Sequence, residues 1–183
     1  MCIRDRLGGA VKGYVILDRD CSSEDERVQR RQKLLATGLH VHIWHRRELE
    51  SYLVHPSTIA RLANANEALV EEILDEELEK LKPGIEIAVA AERLQNPSNP
   101  RLHKITIMEA AKQEVEETWH DLESKLTFCP AKKLLSAVNR CLQVHGHKTV
   151  SPRALSIHLA SEEVPLEMTS VLFQVEELIE ATF

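Results

Sequence analysis

Two aspartates one residue apart, in Leu17-Asp18-Arg19-Asp20, close the apolar run Tyr14 to Leu17. Carboxylates this close repel one another unless a cation lies between them. Hard oxygen donors suit Mg²⁺ or Mn²⁺. The pair is therefore a candidate divalent-metal site. The plainer reading is that Asp18 ends a strand and Asp20 begins a turn. A second acidic group, Glu48 and Glu50, stands in His45-Arg46-Arg47-Glu48-Leu49-Glu50. Carboxylates for a metal beside guanidinium groups for phosphate are what phosphodiester hydrolysis needs. Asp18, Asp20 and Glu50 are the candidate catalytic residues, with Glu48 a weaker metal ligand. Arg46, Arg47 and Arg19 are the candidate phosphate contacts. The competing reading of the second group is an exposed helix start with ordinary charge pairing.

Both groups need elements that bring them together. Tyr14 to Leu17 reads as a short buried strand bounded by Gly13. Ser22 or Ser23 can cap a helix whose first turn carries Glu24, Asp25 and Glu26. That helix runs to about Thr37, and Gly38 supplies its stop. Leu39 to Trp44 is a second strand. Strand, helix, strand with short joins predicts a right-handed crossover and a parallel sheet. Ligands bind beyond the carboxyl ends of such strands. Glu48 and Glu50 then emerge beside Asp18 and Asp20.

After Trp44 the pattern is helical. Leu69, Ile73, Leu78 and Leu81 mark an acidic amphipathic helix expected to stop before Pro83-Gly84. Ile85 to Leu94 reads as another, followed by the loop Asn96-Pro97-Ser98-Asn99-Pro100. Met108, Ala111, Val115, Trp119, Leu122 and Leu126 step by threes and fours, which predicts one long core-facing stripe. Leu134 to Leu142 is a further helix, and two shorter ones have Pro152 and Pro165 near their first turns. The expected organisation is a leader over 1–12, an α/β core over 13–60 and a helical region over 61–183.

Read together, Tyr14 to Glu26 and Val41 to Val54 resemble the Toprim domain of the overcoming-lysogenization-defect (OLD) family of ATP-dependent endonucleases. There a strand ending in D-x-D is followed by a helix, a strand and an R-E-[LI]-E-[NS]-Y-L-like segment. The likeness continues more loosely through Cys129 to Gly146 and Val150 to Met168. It implies an α/β fold with a truncated Toprim-like, Rossmannoid parallel sheet and a mainly α-helical C-terminal region. It implies DNA as partner, Mg²⁺- or Mn²⁺-dependent cleavage, and in several branches defence against phage. It also implies an upstream ATPase domain that would bind the ATP, and a homodimer in the full protein. In that family an earlier strand carries a further Glu. Neither that Glu nor a phosphate-binding P-loop stands in Leu7 to Gly13, so the chain is expected to be a C-terminal part of a longer protein.

Composition bounds these expectations. The 183 residues carry a net charge of −6, which argues against a protein that coats nucleic acid with its whole surface. Residues 1 to 60 hold ten Lys/Arg against eight Asp/Glu, and the remainder thirteen against twenty-one. Contact with a polyanion is expected on the N-terminal third. Arg27, Arg30, Arg31 and Lys33 on the first helix are a solvated face that adjoins the candidate site. Four scattered cysteines read as reduced thiols of a cytoplasmic protein. No apolar run approaches the roughly 20 residues of a membrane span. His40, His42 and His45 read as strand residues rather than ligands, and Cys141, His145 and His147 fit no zinc spacing. The contrasting function is a non-catalytic helical module for assembly of a larger ATPase.

Overall fold

The computed structural model describes residues 13–95 and 103–180. The expected leader over 1–12 and the Asn96 to Pro100 loop lie outside these residues. Strand β1 (Tyr14–Leu17) pairs in parallel with β2 (His40–Ile43), Tyr14 opposite His40 and Leu17 opposite Ile43. Helix α1 (Glu24–Leu35) makes the crossover. Its cap is Ser23, whose hydroxyl accepts from the Glu26 amide while the Glu26 carboxylate accepts from the Ser23 amide. Gly38, at φ 81°, turns the chain into β2, in a region where side chains carrying a Cβ are strained.

A 3₁₀ turn at Leu49–Leu53 leads into α2 (Pro56–Ala63) and α3 (Glu67–Gln95), and α4 (Lys104–Glu117) packs along α3. Short α5 (Leu122–Lys125), α6 (Ala131–Val144), α7 (Pro152–His158), a second 3₁₀ turn at Ser161–Glu163 and α8 (Leu166–Glu180) complete the described chain. The protein is thus mainly helical with a small parallel α/β sheet. No described helix is long and apolar enough to cross a membrane.

Two helical boundaries differ from the sequence expectation. Pro83 lies inside α3 rather than ending the preceding helix. A proline there removes one backbone hydrogen bond and normally kinks or stops a helix. Here Ile73, Leu74 and Leu78 before it and Ile85 and Val89 after it are buried in one core, so tertiary packing carries the helix through. The Met108–Leu126 stripe is also broken. Ala111, Val115 and Leu126 are buried, but Met108 is 50 % exposed. The chain leaves α4 at Thr118 and restarts at α5, where the Asp121 carboxylate accepts from the Ser124 amide at 2.8 Å.

The main core joins Cys21, Val54 and Ile59 to the faces of α3, α4 and α6. A smaller cluster has a different origin. The end of the chain returns to the sheet, where Val171 of α8 is buried against Trp44 and Tyr52, with Tyr14, Met168 and Val175 around them.

Candidate functional site

The ends of the two strands are fastened to one another. The Trp44 amide donates to the Leu17 carbonyl at 3.0 Å, and the Asp20 amide donates to the Arg47 carbonyl at 3.0 Å. The segment carrying Glu48 and Glu50 therefore runs beside the segment carrying Asp18 and Asp20. Asp20 sits at φ 56°, in the left-handed region that aspartate visits more readily than most residues. The strand's two-residue alternation ends at that position.

The acidic residues divide between two neighbouring surroundings. Glu50, in the 3₁₀ turn, lies 2.9 Å from the Lys132 ammonium, whose hydrogen bond holds its carboxyl below the usual range despite partial burial. Glu48 accepts from the Lys132 backbone amide at 3.3 Å, at the first turn of α6, where a helix favours negative charge. Asp18 is exposed; the Glu50 hydrogen bond, then the charges of Glu50, Glu48 and, least, Asp18, raise the Lys132 pKa. Asp20 lines a neighbouring cleft that it shares with Glu92 of α3. Burial pushes its carboxyl up from the ordinary value, and the charges of Glu92 and Asp18 push it further; Arg30 and Arg47 oppose them.

Among the described residues, no three His, Cys, Asp or Glu stand close enough together to hold a metal ion. In donor chemistry the carboxylates still suit a hard divalent cation. Burial and then the charges of Glu92 and Asp18 raise the Asp20 carboxyl, and a bound cation would offset both.

Two of the three arginines expected at phosphate are committed inside the protein instead. Arg19 is 7 % exposed. It donates to the Ser22 and His45 carbonyls, pairs with Glu114 at 3.4 Å, and lies 4.6 Å over the Phe128 ring. Arg46 is buried over the Tyr52 ring and binds the Ser51 carbonyl and Glu123. Both fasten the loops that follow the strands, because a buried guanidinium must place its N–H groups on acceptors. Arg47 is half-buried, with one contact to the Phe128 carbonyl at 3.4 Å. It remains the phosphate candidate of the three.

The histidines serve the fold. His42 Nε2 lies 2.9 Å from Glu167 of α8, and His40 stacks against Tyr14. His45 Nδ1 is 2.8 Å from an Arg27 guanidinium nitrogen. The Tyr52 hydroxyl donates to Glu167 and accepts from the His45 and Arg46 amides, each at 3.1 Å. Burial and Glu167 push that hydroxyl's pKa up, which suits a latch and not a nucleophile. Cys141 contacts Glu77 whereas His147 contacts the Asn64 carbonyl, so the two have separate partners.

Sequence reasoning missed Lys132, Glu92 and Arg93. Nothing in local spacing links them to residues 18–50. A lysine just after Pro130, at the start of a helix, was the sole signal, and only for Lys132. Comparison of the chain with protein-family models, with curated proteins and with solved structures returns no match.

Proposed function

We propose that this chain carries the centre of a divalent-metal-dependent DNA endonuclease of Toprim type, similar to the OLD family. The observation that supports it most is the adjacency of the two acidic strand ends, with the Asp20 carboxyl raised by burial and further by its like-charged neighbours. Asp18 and Asp20 would hold Mg²⁺ or Mn²⁺, with Glu50 and Glu48 completing the set. Such an ion supplies Lewis acidity and an activated water.

The chain's own residues then have separate tasks. Glu50 and Glu48 are oriented by Lys132, at its side chain and its backbone amide. Lys132 is largely exposed at its tip and can transfer its charge from Glu50 to a phosphate oxygen. Arg47 orients the backbone of the strand being cut. Contacts of this type position phosphate without reading bases, so cleavage should depend weakly on sequence. By the same resemblance ATP would act through an upstream domain and the role would be phage defence; the scattered thiols suit a cytoplasmic setting. Relaxation of supercoiled plasmid in Mg²⁺ or Mn²⁺, abolished by chelator, is the expected behaviour; equal relaxation in chelator refutes the metal's role.

A second reading is favoured by one observation. Helix α8 exposes Leu166 (88 %), Leu172 (62 %), Phe173 (62 %) and Ile179 (53 %), a face suited to helical assembly. If assembly is the chain's whole function, Phe173→Glu lowers the sedimentation mass of the wild-type oligomer and no metal-dependent nicking is seen.

A further inference from the structure

A cleft of about 430 Å³ opens between α1 and the end of α3, next to Asp20. Its volume lies within the range of roughly 300–1,000 Å³ usual for ligand clefts. Arg30 and Lys33, on one face of α1, and Arg93 of α3 contribute its cations. Arg93 is unusual. Its side chain is only 9 % exposed, and Nε has no hydrogen-bond partner. Its Nη2 lies 2.8 Å from a Glu114 oxygen as an ion pair, but out of line for a hydrogen bond. Buried polar groups are nearly always partnered, and an unmet donor costs about 1–3 kcal/mol.

The cleft wall carries three acids, Asp20, Glu26 and Glu92, against three cations, and the surplus of positive charge lies beneath it. Glu114 is the one carboxylate, among the described residues, within ion-pair distance of either Arg19 or Arg93, so two buried guanidiniums share it. Of the acids on the cleft wall, Glu26 is engaged in capping α1 and Glu92 accepts from the Cys21 amide. Asp20, the third, belongs to the proposed metal site.

The geometry points to this cleft as an anion subsite, in which Arg30, Lys33 and Arg93 hold a backbone phosphate of the nucleic-acid strand beside the carboxylate centre. The inference rests on the proposed nuclease reading for the source of the phosphate. Arg93 lines the cleft, and its guanidinium charge, answered only by a carboxylate that it shares with Arg19, would draw the phosphate toward that wall. The strand would run from the ends of β1 and β2 across the outer face of α1. Arg30 and Lys33 are both exposed, so replacing them spares the core.

The test is binding of a fluorescein-labelled DNA oligomer to the full chain in chelator, across a salt series. Each phosphate contact contributes a slope of about −0.9 in log K against log salt for duplex DNA. Arg30→Ala with Lys33→Ala should make the slope shallower by about 2 and weaken binding at least roughly tenfold at low salt. The same change at Arg140 and Arg153, exposed on α6 and α7, should alter neither as much. Arg93→Lys, which keeps the charge but loses the planar fork, should weaken binding with the slope retained.

An unchanged affinity and slope in the Arg30/Lys33 variant overturns the subsite. Inorganic phosphate competing as well as the oligomer, phosphate for phosphate, overturns the nucleic-acid source. Plasmid nicking by the same variants separates the two readings. Asp18-dependent cleavage with unaltered binding sinks the subsite alone. Arg30/Lys33-dependent binding without any cleavage sinks the nuclease reading alone.

Discussion

Two sets of carboxylates in this protein have the same chemistry and opposite circumstances. Glu163 and Glu167 lie where the C-terminal segments meet the rest of the fold. The side chain of Glu163 is 8 % exposed; it accepts from the Ser57 and Thr58 hydroxyls, the Ala160 amide and Arg61. Glu167 accepts from Tyr52, the His45 amide and His42. Their oxygens are saturated, and hydrogen bonds to the ionised form pull both pKa values down. Asp18, Asp20 and Glu50 stand at the strand ends with few partners; Glu50 is held down by one, Lys132, whereas Asp20 is pushed up. Saturated carboxylates hold structure. Crowded and under-partnered ones retain the capacity to bind something else.

Removing members of each set should separate them, with Glu163 giving the largest effect. Glu163→Ala leaves two hydroxyls and an amide without an acceptor and should cost roughly 3 kcal/mol, read as a lower urea midpoint. Its stability contribution has a definite pH dependence. The folded pKa lies below the unfolded value of about 4.3, so the contribution is complete above that value and is lost as pH falls through the folded one. The gap between wild type and Glu163→Gln should therefore narrow in acid.

Glu167→Gln should come next, at about 1–2 kcal/mol, because the amide keeps one acceptor for Tyr52 or His42. Burial works against ionisation of Glu167, yet the His42 and Tyr52 hydrogen bonds outweigh it. The same acid-side loss is expected. Loosened packing of α8 should show as faster amide exchange at Val171 and Val175.

The strand-end residues should behave differently. Glu50→Gln breaks a partly exposed ion pair with Lys132 and should leave the urea midpoint unchanged. Asp20→Asn should hold or slightly raise stability at neutral pH. Its folded pKa lies above the unfolded value, so the native state binds the proton more readily, and ionisation destabilises it as pH rises through that window. The small gain in Asp20→Asn should vanish in acid. A large loss of stability in Asp20→Asn would erase the contrast between the two sets.

Much of the α/β unit is legible from local chemistry. Ser23 with Glu26 writes a capping box, Gly38 marks the left-handed turn, and the apolar run at 14–17 and the alternating His-Val-His-Ile at 40–43 write the strands. The adjacency of the acidic groups follows from that connection. What escaped the sequence depends on partners far along the chain. Pro83 is a helix breaker by local rules, and only burial on both sides of it carries α3 through. Arg19 and Arg46 look like phosphate ligands until Glu114, Phe128 and Glu123 are placed against them. The return of α8 to Trp44 and Tyr52 has no periodicity of its own. Lys132 enters the site from a helix whose pattern reports only its buried face.

The central claim is that the carboxylates at the ends of β1 and β2 serve metal-dependent phosphodiester cleavage. Its most direct test is plasmid nicking by wild type and Asp18→Ala in Mn²⁺ and in chelator, with urea midpoints measured alongside. Asp18 is exposed and no packing depends on it, so the variant should fold as wild type does. Loss of a metal ligand is expected to lower the nicking rate at least roughly 100-fold, with the midpoint held or raised by relief of like-charge repulsion. Full nicking activity in a well-folded Asp18→Ala protein would contradict the account.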